Sequence, residues 1–130
     1  KTSPRPDFVG LVYPGPTPFT KAPETKIPAN CPPSFIVCAG SDDRVHAVWA
    51  DEYFSPMLKA SVPNLEMHIY GRGGHGGSIG NRGGIPFGSW SDRYIDWFKD
   101  LGFLNKPGEE TKAASDTAKY VKKKRFSRNK

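Results

Sequence analysis

Two adjacent carboxylates, Asp42 and Asp43, and one histidine, His75, are the residues whose types and spacing fit acid–base chemistry. Each lies just past a short segment that reads as a strand. Ser34-Phe35-Ile36-Val37-Cys38-Ala39 precedes the acids, and Leu65-Glu66-Met67-His68-Ile69-Tyr70 precedes the histidine. Groups that follow the carboxyl ends of parallel strands gather at one rim of a sheet. An acid and then a histidine, in that order, is the downstream part of a Ser…Asp…His arrangement. The chemistry requires the two to meet. The carboxylate holds the imidazole in one tautomer and stabilises the positive charge it gains on taking a proton. Taken singly, either Asp is as readily a turn former or a helix N-cap, and His75 an exposed loop residue. Their joint placement after two strands points to catalysis. His46, near a helix start, and His68, on the polar phase of a strand, are weaker candidates.

The elements that must position these groups follow from local patterning. Phe8-Val9-Gly10-Leu11-Val12-Tyr13, stopped by Pro14-Gly15-Pro16, reads as a buried strand, because its length and flanking prolines exclude a helix. Residues 14–33 are proline-rich and read as a mostly irregular connection. The Ser34–Ala39 run reads as a second buried strand. Residues Ala47 to Lys59 form a helical stripe through Val48, Phe54, Met57 and Leu58, with Pro56 expected to kink it. Leu65 to Tyr70 alternates apolar and polar residues, the period of a half-buried strand. A glycine-rich loop from Gly71 to Gly88 carries His75, and its glycines permit a tight turn. Ser89 to Asp92 starts a last helix with its apolar face at Tyr94, Ile95, Trp97, Phe98 and Leu101, and Gly102 ends it. Continuous apolar strands separated by crossovers predict an α/β fold with a parallel sheet. Three strands alone would leave an edge unpaired. With Lys1 in place of an initiator Met, this leads to the expectation that further strands precede the chain.

Composition narrows the functions. Of 130 residues, residues 106–130 hold nine Lys or Arg against three acids, which accounts for the whole net charge of +6. The body before it is balanced, ten bases against ten acids, which argues against nucleic-acid binding by the folded part. The basic segment from Asn105 has no apolar periodicity and is expected to be a disordered, solvated tail. No run of about 18 apolar residues suggests a membrane span. Two cysteines, Cys31 and Cys38, and no paired histidine spacing give no indication of a metal site, and no cofactor is expected. Gly76-Gly77-Ser78-Ile79-Gly80 matches the G-x-S-x-G pattern of a nucleophilic serine. It follows a glycine loop rather than an apolar strand and leads to more glycine rather than a helix, so Ser78 is read as a chance match.

Four blocks then carry a family resemblance. Pro6 to Pro14 resembles the strand after the nucleophile helix in acetyl-xylan-esterase-like and dienelactone-hydrolase-like α/β-hydrolases. Pro32 to Asp43 resembles their acid-bearing strand, Val62 to Gly76 their histidine-bearing strand and loop, and Trp90 to Leu104 their closing helix. The resemblance covers residues 5–104 and implies the C-terminal half of an α/β-hydrolase domain, followed by the tail at 105–130. It implies a serine hydrolase acting on carboxylic esters, with a small ester or acylated carbohydrate as substrate. It favours Asp43 over Asp42 as the acid, gives His75 as the base, and implies a serine and an oxyanion hole upstream. The isolated chain is then expected to be inactive. The chain departs from the family at His46-Ala47, where a Val-Pro pair is usual, and in a longer, more polar loop after His75. A serine peptidase of prolyl-oligopeptidase type and a non-catalytic hydrolase-like fragment are the alternative readings.

Overall fold

The computed structural model describes residues 2–22, 24–40, 43–76 and 86–128. The chain divides into two compact units, Lys1–Ser91 and Asp92–Lys130.

The first unit is built on a parallel sheet of β1 (Val9–Val12), β2 (Ser34–Ala39) and β3 (Glu66–Tyr70), in the order β1-β2-β3. β2 is buried along its whole length, as its unbroken apolar run predicts for a central parallel strand. The proline-rich connection after β1 contains one short helical turn, α1 (Pro18–Lys21). The helix α2 (Arg44–Lys59) crosses from β2 to β3 and packs over the sheet. Pairing of Leu11 with Ile36 and of Ile36 with Met67 sets these three side chains in one row. They form the core with Cys38 and with Ala47, Ala50, Tyr53 and Phe54 of α2. These observations are those of an α/β arrangement with parallel strands.

The apolar stripe of α2 differs from the one its larger residues suggest. Val48 and Leu58 are 51% and 58% exposed, whereas Ala50 and Met57 are buried. The face that meets the sheet runs through 47, 50, 54 and 57, a three-four-three spacing that uses alanine for close approach. Pro56 sits inside α2 without ending it, since the helix continues to Lys59. The return to β3 turns sharply, with Ser61 and Asn64 both at positive φ, 58° and 53°. At the exit of β2, the amide of Gly40 donates to the carbonyl of Tyr70 at 2.7 Å. A Cβ on Gly40 would lie 2.9 Å from Ile69 Cγ2, so the two strand ends come together here only because residue 40 is glycine.

A 3-10 turn, Pro86–Ser89, leads into α3 (Trp90–Asp100), which lies mostly in the second unit. The division between the two units falls after Ser91, within the first turn of α3. Tyr94 stacks on the buried Trp97, and Phe98 meets Phe103. Ile95, expected on the apolar face, is exposed. Gly102, at φ 77°, stops the helix as expected, its amide donating to Lys99. Lys112–Arg128 of the basic segment, expected to be a disordered, solvated tail, is a further helix, α4, in this structure. α4 has no apolar stripe, and charge pairing supports its start: Lys112 and Asp116, one turn apart, form an ion pair. Among the described residues no helix is long and apolar enough to cross a membrane.

Candidate functional site

The three strands end at one rim, and each delivers a side chain to it. Tyr13 directly follows β1, Asp43 and His46 follow β2 at the start of α2, and His75 follows β3. The fold thus brings together the two residues singled out by sequence, Asp43 and His75, and adds two more.

Asp43 occupies the N-cap position of α2, yet its side chain makes no capping hydrogen bond. The carboxylate is turned to two imidazoles instead. Oδ1 lies 2.6 Å from His46 Nδ1, and Oδ2 lies 3.4 Å from His75 Nδ1. The first contact is a short hydrogen bond with a charged acceptor. The second is longer than a normal hydrogen bond, and among the described residues Oδ2 has no hydrogen-bond partner although it is buried. Asp43 as a whole is 8% exposed. The imidazole of His75, by contrast, is 61% exposed and presents itself to solvent. A buried carboxylate facing an exposed ring through Nδ1 is the orientation in which a histidine can exchange protons at Nε2.

Tyr13 ties the rim together. Its φ of 53° is unusual for a bulky residue, and its amide is held by Val37 O at 3.0 Å. The hydroxyl reaches across to donate to Gly74 O at 2.7 Å, fixing the loop one residue before His75. The Tyr13 ring centroid lies 4.8 Å from that of His75 and 5.9 Å from that of His46. The two imidazoles are 4.4 Å apart at 33°, and Trp49 meets His46 edge-on at 5.1 Å. Gly76, at φ 77°, completes the turn after His75 in a conformation that side chains resist.

Nearby groups are excluded by their contacts. His68 pairs with Glu66 at 2.7 Å and lies against Phe35, a structural role on the sheet face. Cys38 lies under the site in the core, and burial, with the Asp43 charge adding to it, pushes its thiol up to about 11. Ser34, Ser55 and Ser89 have partners elsewhere, Pro32 O, Asp51 and Tyr70 respectively. Asp42 and Ser78 lie outside the described residues.

Sequence reasoning passed over Tyr13 and set His46 aside. Both carried a signal. Tyr13 ends an apolar run just as Ala39 and Tyr70 do, and the three-residue step from Asp43 to His46 places both on one face of a helix start. Comparison with family models, with curated proteins and with solved structures returned no match.

Proposed function

We propose that Asp43 and His75 are the acid and base of a serine hydrolase acting on carboxylic esters, in the manner of acetyl-xylan esterases. In this reading the chain is the C-terminal portion of an α/β-hydrolase fold. The nucleophilic serine and the oxyanion donors come from polypeptide outside these residues. One observation carries the reading: a buried carboxylate that forgoes capping its own helix faces Nδ1 of an exposed histidine from the next strand. Their 3.4 Å separation is in keeping with catalytic pairs that tighten only when substrate is bound. His75 takes the serine proton as the serine attacks the ester carbonyl, then returns it to the leaving alcohol. Water, activated by the same ring, hydrolyses the acyl-enzyme. Asp43 keeps the ring oriented and offsets its transient charge. Acetyl groups on plant polysaccharide are the suggested substrate, on the family resemblance alone.

The test is turnover of p-nitrophenyl acetate. The 130-residue chain by itself is expected to give none. Turnover by this chain that disappears in Ser78→Ala would overturn the assignment of the nucleophile. In the naturally expressed protein His75→Ala is expected to abolish turnover while His68→Ala leaves it. Activity retained in His75→Ala ends the reading.

A further inference from the structure

We propose that Asp43, His46 and His75 form a binding site for a divalent transition metal of the zinc class. One donor atom from each of the three lies within 4.8 Å of the other two. Two imidazoles and one carboxylate suit Zn2+, Co2+ or Ni2+. Ca2+ and Mg2+ prefer oxygen donors throughout.

Two features of the Asp43 carboxylate point to a cation here. First, the 3.4 Å between Asp43 Oδ2 and His75 Nδ1 is long for a hydrogen bond. It is close to the edge of a tetrahedron whose metal–ligand bonds are about 2.0–2.1 Å, roughly 3.3–3.4 Å. Second, Oδ2 is buried without a hydrogen-bond partner among the described residues, and it faces His75, whose ring lies 4.4 Å from that of His46. A buried carboxylate oxygen left unpaired is costly, and a bound cation removes that cost.

The surroundings hold the donors in place. Asp43 and His46 start one helix and are mostly buried, with side chains 7% and 18% exposed. Tyr13 packs against both imidazoles and anchors the His75 loop through Gly74 O. Such outer contacts orient ligating histidines. On binding, each ring ligates through the Nδ1 lone pair and carries its proton on Nε2, so neutral rings release no proton. The 2.6 Å His46–Asp43 hydrogen bond is given up on binding, as its proton moves to Nε2 of His46 and the metal takes its place on Nδ1. Three protein donors leave a fourth position for water or a substrate oxygen, on the exposed side of His75.

The proposal does not rest on the hydrolase reading, and its test reads no turnover. A metal on His75 Nδ1 and an Asp43–His75 hydrogen bond exclude each other at any instant, so bound metal would hold the pair out of acid–base work.

The test uses the tag-free chain, freed of metal by chelator and titrated with Zn2+ by calorimetry. One equivalent is expected to bind. Loss of a direct ligand in His46→Ala, His75→Ala or Asp43→Asn should weaken binding by at least about 100-fold, since even outer contacts cost 10–100-fold. His68→Ala and Cys31→Ser should bind as the unaltered chain does. Circular dichroism checks that each variant is folded. Nitrogen-15 spectra of the unaltered chain give a second readout that does not depend on variants. Zn2+ should shift Nδ1 of His46 and His75 and leave His68 in place. The absence of one-to-one binding, equal binding in all three ligand variants, or shifts confined to His68 would overturn the site.

Discussion

Replacing Asp43 by asparagine turns one of its two acceptor atoms into a donor while keeping its shape. In the folded chain Oδ1 is engaged by His46 at 2.6 Å and Oδ2 faces His75 at 3.4 Å. The shorter bond, to the more buried ring, holds the amide oxygen, so the new NH2 points at His75 and the ring must turn its Nδ1 lone pair toward it. The proton then sits on Nε2, the wrong tautomer for a base. The charge is lost as well. A carboxylate 3.4 Å from an imidazolium is worth about 1 kcal/mol in water and about 5 kcal/mol at an effective dielectric of ~20. The exposure of His75 places the free protein near the lower figure, and a substrate that covers the ring moves it toward the upper one. The expected loss in kcat for Asp43→Asn in the naturally expressed protein therefore lies between about tenfold and about 10^4-fold. The wrong tautomer favours the larger value. Asp42→Asn should cost far less. Two measurements decide: p-nitrophenyl acetate turnover, and the nitrogen-15 tautomer pattern of His75 in the isolated chain at pH 8. Equal losses for the two asparagine variants, or an unchanged His75 tautomer in Asp43→Asn, would refute the reasoning.

Other predictions concern the frame around the site. Gly40→Ala forces its new methyl against Ile69 Cγ2 on a stiff β-branched side chain, and should lower stability by about 1–3 kcal/mol in urea unfolding. Tyr13→Phe removes the hydroxyl bond to Gly74 O and should cost about 0.5–1.5 kcal/mol, with faster amide exchange confined to residues 71–76. Cys38, buried and with its thiol raised to about 11, should resist Ellman's reagent at pH 8 while the partly exposed Cys31 reacts. Its raised value has a sign in stability. The folded state holds the proton that the unfolded thiol releases near 9.0, so the contribution is whole below pH 9 and fades between pH 9 and about 11. Alkaline unfolding of Cys38→Ala should show a weaker drop across that window.

Much of the frame was legible in the residues themselves. The run from Ser34 to Ala39 could only be a strand covered on both faces, and it is buried throughout. The order of strand, acid, strand, histidine required Asp43 and His75 to reach one rim, because parallel strands all end on the same side. Gly102 marked the end of α3 because only glycine turns a helix off so readily. Other features depended on contacts between distant segments. Val48 and Leu58 looked like core and are exposed, since the sheet selects the alanine face of α2 for closeness rather than the bulkiest one. The helix at Lys112–Arg128 carries no apolar stripe to announce it, and the charge pairs at its start form only once the turn exists.

Sequence by itself determined that a carboxylate and an imidazole follow the ends of successive strands, since residue type and the two-residue strand period are local properties. Only the tertiary structure decided that one carboxylate would be shared between two histidines and that a tyrosine from the first strand would hold the loop of the third. Those contacts join residues up to 61 positions apart, and no local pattern encodes them. They arise when packing of Leu11, Ile36 and Met67 sets three strand ends side by side.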